Sequence, residues 1–268
     1  MTAGRTPLVR IEEFAGSPLE SEVWLKDESA NPFHTHKDRR SALIVQKALT
    51  YDIDTIALIT AGNGGYSLAK SAEGSGLRIV LIVSENIRPS IKSILQATSA
   101  TIIEVDLSKK LEPHDIVSLA RHNEGERVWD VSNGYEEAYE GILYEIAGQK
   151  PEAIIAPVGS GELLLGIHRG IQNYGLQTKL YGVGVQSPHS KADKLYASYV
   201  PASDRIEKLV REGHEIAQLP EEEVEWAAAN APKEFAAEPS AQVIFAALQR
   251  VRKIVGKTVL INTGRGLQ

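Results

Sequence analysis

The chain has 268 residues, 43% hydrophobic and 24% charged, an ordinary globular composition that excludes fibrous and disordered classes. A formal net charge of −6 without a basic stripe argues against a nucleic-acid surface, and the lack of any cysteine excludes disulfides, thiolate catalysis and cysteine-ligated zinc. No apolar run reaches membrane-spanning length and the start "MTAGRTPLVR" has no apolar core, so a cytoplasmic protein with neither membrane nor nucleic acid as partner is expected.

In chain order, "EVWLKD" reads as a strand, 38–50 as a helix, "TIALIT" as a strand and 64–74 as a helix. "RIVLIV" follows as a strand, then a helix over 89–98 with Pro89 in its first turn, the strand "TIIEVD" and a helix over 135–148. The last third gives "EAIIAPV", a helix over 161–174, "LYGVGV", a polar stretch 187–223 read as loop with short helices, a helix over 239–255 opening at Pro239, and "TVLIN". Near-continuous apolar strands alternating with amphipathic helices predict an α/β fold of open, twisted parallel sheets covered by helices on both faces.

Candidate chemistry gathers where strands run into helices, because free N–H groups there attract anions. Two glycine turns follow strands: "TAGNGG", Thr60 to Gly65, and "PVGSGEL", Pro157 to Leu163; a third, "NTGRG", lies near the end. The first nearly matches a dinucleotide fingerprint, but Ser67 takes the place of its third glycine, and Glu85 is the acid roughly twenty residues on. "NPFHTHKDRR" crowds His34, His36, Lys37, Arg39 and Arg40 at a helix start that ordinarily prefers negative charge. The bland reading of the histidines is loop packing, and the other five are scattered, so no metal site is expected. Lys37, destabilised as an ammonium by the helix end and its cationic neighbours, is expected to have a lowered pKa. A free amine of that kind suits a Schiff base with an aldehyde cofactor.

"TPLVR", "WLKDESANPFHTHKDR", "AGNGG", "PVGSGELLLGI", "AEPSAQ" and "INTGRGL" stand in the order found in fold-type II pyridoxal-phosphate enzymes, the tryptophan synthase β superfamily. Nearly the whole chain resembles that superfamily, and "KDE", "NP", "KDR", "YEGILYEI" and "TGRGL" resemble its threonine synthase branch most. The resemblance implies pyridoxal 5'-phosphate held in an interdomain cleft, with Lys37 as the catalytic, cofactor-linked amine. It implies cofactor contacts from Asn63, Gly159, Ser160, Gly161, Glu162, Leu163 and Thr263, and substrate-carboxylate contacts from Thr60, Ala61, Gly62 and Gly64. A smaller mobile domain over 38–127, a larger one of 1–37 with 128–268, a small L-amino-acid substrate and a homodimer are expected in the same way.

The implied activity is a lyase or replacement reaction of the threonine synthase kind. Serine or threonine dehydration, cysteine synthase-like β-replacement, and a non-catalytic cofactor-binding or partner subunit are the alternatives, with a dinucleotide oxidoreductase beyond them. Three departures bear on the choice: His34 and Thr35 replace a glycine and a serine, Glu162 replaces a glycine of the phosphate loop, and Ala138 stands where threonine synthases carry a phosphate-reading arginine. Glu136, Glu137 and Glu140, if they line the site, would favour a neutral or cationic substrate tail.

Overall fold

Strands whose residues are apolar on both faces build two sheets in this computed structural model, which describes residues 3–196, 200–250 and 256–267, without the side chain of Glu20. Ten strands and nine α-helices are described: β1 Leu8–Phe14, β2 Ser17–Asp27, α1 Lys37–Thr50, β3 Thr55–Ile59, α2 Asn63–Ser71, β4 Arg78–Ser84, α3 Pro89–Gln96, β5 Thr101–Val105, α4 Pro113–Ala120 and β6 Val128–Asp130, then α5 Glu140–Ile146, β7 Ala153–Pro157, α6 Glu162–Tyr174, β8 Lys179–Val185, α7 Ser203–Arg211, β9 Glu215–Leu219, α8 Glu221–Asn230, α9 Pro239–Arg250 and β10 Lys257–Asn262. Residues 251–255, expected to end the last helix, lie outside the described residues.

The chain divides into two units: Lys37–Tyr135 with short pieces of both chain ends, and Gly4–His36 with Glu136–Arg265. The first unit holds a four-stranded parallel sheet in the order β5-β4-β3-β6. Its pleat sorts the core by parity. Ile56, Leu58, Ile79, Leu81 and Val83 pack against Ile44 and Val45 of α1, Leu68 of α2 and Leu95 of α3. Ala57, Val80 and Ile82 point the other way, to Ile116 and Ala120 of α4.

The second unit holds six strands in the order β1-β2-β10-β7-β8-β9. Val23, Leu25, Ile155, Val183 and Leu260 face α8 and α9, while Ile154, Ala156, Leu180, Val259 and Ile261 face α5, α6 and α7. The sheet is mixed rather than parallel throughout, because β1 and β2 form an antiparallel hairpin closed at Ala15 and Gly16, both with positive φ.

The expected division at 127/128 moves to Tyr135/Glu136. β6 pairs in parallel with β3, which keeps this stretch in the first unit. The expected helix over 135–148 is a 3₁₀ turn at Glu136–Tyr139, then α5, then a second 3₁₀ turn at Ala147–Gln149. Among the described residues, no helix is long and apolar enough to cross a membrane.

Candidate active site

Lys37 is the first residue of α1 and is half-buried. The negative charge a helix start prefers is supplied by Asp38, buried in the first turn. Arg40 turns away to structural work: it donates to Val131 O and its guanidinium lies 5.3 Å from the Tyr135 ring centre.

The segment leading to Lys37 is fixed by a buried polar network in the second unit. Glu28, fully buried, accepts from Thr6 Oγ1 at 2.6 Å and from Asn31 Nδ2 at 2.8 Å; Asn31 Oδ1 accepts from Gly4 N–H. Lys26, 1% exposed, donates to Glu145 Oε2 at 2.5 Å and to Thr6 O, and Glu145 also accepts the Arg5 and Thr6 N–H groups. "TP" and "KDESANP" are thus the two halves of one scaffold.

Residues 34–36 then zip antiparallel to 263–265. Thr35 bridges Gly264, His36 N–H donates to Thr263 O at 2.9 Å, and Arg265 N–H donates to His34 O. His36 Nδ1 lies 3.0 Å from the same Thr263 carbonyl, which assigns it a proton because a carbonyl only accepts. The His36 ring packs 5.4 Å from that of buried Tyr139. Both histidines therefore serve loop packing, and this pairing fixes the backbone of Thr263, itself buried. The covalent chain makes Lys37 the next residue.

At the carboxyl end of β3 the turn into α2 is held by one side chain. Thr60 Oγ1 accepts from Gly62 N–H at 3.1 Å and Gly65 N–H at 3.0 Å. Gly62 has φ +141, a conformation that admits glycine readily and other residues rarely. Gly64 sits against the lysine: a Cβ there would lie 3.0 Å from Lys37 Cδ. Asn63 begins α2 half-buried and Ala61 is exposed. Ser67 donates to Ser41 Oγ at 2.8 Å and so locks α2 to α1, a packing role in place of the third fingerprint glycine.

In the second unit β7 ends at Pro157 and the turn Gly159–Ser160–Gly161 leads into α6. Gly161 has φ +90 and no side chain caps this helix start, so the first-turn N–H groups, which have no intrahelical acceptor, face the end of the strand. Glu162 and Leu163 are buried. This end of the sheet borders a cavity of about 370 Å³ lined by Gly159, Val185, Leu195 and Ile206 among others.

Glu136 and Glu140 are committed to partners in the fold. Glu136 pairs with Arg205, and although burial pushes its carboxyl up, the Arg205 hydrogen bond and charge hold it below the ordinary value. Glu140 pairs with Arg169 and accepts from Tyr144 and Asn173. They are structural acids, not readers of a substrate tail.

A family model described as pyridoxal-phosphate dependent enzyme matches residues 1–264. The chain belongs to the pyridoxal-phosphate dependent enzyme family. Cysteine synthase B of Escherichia coli is 26% identical over 193 residues, 68% of this chain and 63% of that protein. Cystathionine beta-synthase of Rattus norvegicus is 27% identical over 197 residues, 67% of this chain and 35% of that one. The chain thus spans less than two thirds of each. A crystal structure of O-ureido-L-serine synthase superposes with a TM-score of 0.79 at 21% identity, covering 98% of this chain and 90% of that chain. These relatives correct the expected nearness to threonine synthase: the similarity runs to cysteine synthase and cystathionine beta-synthase.

The residues present fit the family's cofactor. Pyridoxal phosphate needs a primary amine for its aldehyde and N–H donors for its phosphate; the first unit has such an amine in Lys37 beside Gly64, and the second unit has, by itself, the uncapped start of α6 behind two glycines.

Proposed function

We propose that this enzyme replaces the side-chain oxygen substituent of an activated L-serine with an incoming nucleophile, in the manner of a cysteine synthase. The similarity to cysteine synthase B and cystathionine beta-synthase carries this reading. Ala138, where an arginine would read a substrate phosphate in threonine synthases, agrees with it.

Bound pyridoxal phosphate supplies an electron sink for the bond between Cα and its proton. Lys37 Nζ would hold the cofactor aldehyde, and its amine would be the base that accepts and returns the α-proton of the substrate. Asn63 hydrogen-bonds the ring oxygen. The N–H groups of Gly159, Ser160, Gly161, Glu162 and Leu163 would receive the phosphate, and the Glu162 carboxylate would have to point away from it. The turn Thr60–Ala61–Gly62, with Gly64, receives the substrate carboxylate, and Thr60 keeps its N–H groups in place. Thr263 offers a hydroxyl to the ring nitrogen. A hydroxyl does not hold that nitrogen protonated as a carboxylate would, which favours elimination and addition.

The purified protein, loaded with pyridoxal phosphate, is expected to form cysteine from O-acetyl-L-serine and sulfide, and Lys37→Ala to lose this turnover and the bound chromophore. Pyruvate or 2-oxobutyrate from free serine or threonine, without any replacement product, would instead make the enzyme a dehydratase. Threonine from O-phosphohomoserine would restore the threonine synthase reading.

A further inference from the structure

Two of the histidines that are scattered in sequence meet in the second unit. His168 lies on α6 with a side chain only 13% exposed, and Glu212 and His214 lie in the turn from α7 to β9. The three side chains offer ligand atoms all within 4.8 Å of one another. They line a cavity of about 540 Å³ with Gln172, Thr178 and Lys179. This place is at the amino-terminal ends of β8 and β9, the opposite end of the sheet from Gly159.

We propose that His168, Glu212 and His214 form a binding site for a divalent transition-metal ion of zinc-like chemistry, with the fourth position open to the cavity. Two imidazoles and a carboxylate are a donor set for zinc, and bonds of about 2.0–2.1 Å in a tetrahedron put neighbouring ligand atoms about 3.3 Å apart. His168 Nε2 and Glu212 Oε2 already stand 3.3 Å apart. His214, the third ligand, needs a side-chain movement of at most about 1.5 Å to close on them, since all the ligand atoms lie within 4.8 Å of one another. The Glu212 side chain is a third exposed, so its carboxylate can follow that closure.

The histidine rings stand 5.0 Å apart at 78°, so neither stacks over the other's nitrogen. His214 Nδ1 accepts from Leu180 N–H at 3.2 Å, so its lone pair is available to a metal at the cost of that long hydrogen bond. Two cations border the site: Lys208 approaches the other Glu212 oxygen at 3.6 Å, and Lys179 pairs with Glu215 at 2.5 Å. The ion would tie α6 to the start of β9, and the inference does not rest on the reaction assigned above.

The test is Zn²⁺ titration against a chromophoric chelator, using the cofactor-loaded protein, Glu212→Gln, His168→Gln and, as a control, His114→Gln at an exposed histidine. One Zn²⁺ per chain is expected for the parent and the control, with affinity lowered at least about tenfold in the two site variants. Zn²⁺ should raise the thermal midpoint of the parent but not of Glu212→Gln, a rim substitution that leaves the core intact. Absence of stoichiometric binding in the parent, or equal binding by the parent and Glu212→Gln, would overturn the proposal. Repeating the titration after removal of pyridoxal phosphate should leave the Zn²⁺ stoichiometry unchanged; its loss would place the ion on the cofactor and equally defeat the site.

Discussion

Gly64 and Lys26 show how differently single residues contribute. A methyl group at Gly64 would come within 3.0 Å of Lys37 Cδ, and the flexible lysine tail can give way while the backbone cannot. Gly64→Ala is therefore expected to fold normally but to misplace the amine. Turnover should fall about tenfold to a hundredfold with a weakened cofactor absorbance, since small displacements of a reacting group are costly. Lys26 acts on the scaffold. Glu145→Gln leaves a 1%-exposed ammonium without its carboxylate, and denaturant unfolding should show a loss of roughly 3 kcal/mol or more. The paired change Lys26→Met with Glu145→Gln should recover part of it, because it removes the unpaired ammonium while the new amide oxygen can still accept from the Arg5 and Thr6 N–H groups. The place of Lys37 at a helix start and of the glycine turns between strand and helix was legible in the sequence, because glycine runs and crowded cations are unusual at such positions. The roles of Thr60 as a turn clamp and of Thr6, Glu28 and Asn31 as one network were not, because each depends on a partner brought close only by folding.

Among elements, the strands that escaped the sequence reading share a place. β1, β6 and β9 are all sheet edges, where one side is solvated and the apolar run that marks a central strand is not needed. "LVRIEEF" and "EIAQL" carry charges for this reason, and "VWD" is too short to show a period. The interior strands β3, β4, β7, β8 and β10 were plain from their runs of Ile, Leu and Val. The edge β6 is secured by the loop before it, where Glu126 accepts from Thr55, from Arg78 at 2.8 Å and from His122 N–H at 2.7 Å. The Thr55 hydrogen bond first, then the His122 N–H, draws its pKa down from 4.5 to about 2. A carboxyl depressed in the folded state stabilises fully above its unfolded value and loses that contribution as pH falls. The first unit should therefore lose stability between about pH 4.5 and 2. Acid titration of Glu126→Gln should show a shallower decline over that window, and an unchanged profile would remove Glu126 from the account.

For the molecule as a whole, α/β character was legible in the sequence, and the place where one unit gives way to the other depends on strand pairing. The resemblance implied a boundary at 127/128, whereas β6 pairs back to β3 and carries the first unit on to Tyr135. Each unit has its own apolar core on both faces of its own sheet, so unfolding is expected to depart from two-state behaviour. Tryptophan reports on each separately: Trp129 lies in the first unit, Trp24 and Trp226 in the second. Denaturant curves for a variant retaining only Trp129 and one retaining only Trp226 should have different midpoints, and coincident curves would show a single cooperative block.

The position of β10, between β2 and β7, has a consequence for synthesis on the ribosome. The first unit's sheet comes from one continuous stretch, 55–130, and can form while the chain is still emerging. The larger sheet stays split, β2 and β7 each showing a bare edge, until its last-made strand arrives to join them. Until then the nascent protein carries two templates for wrong pairing, and a ribosome stalled before Lys257 would release a chain that chaperones must hold.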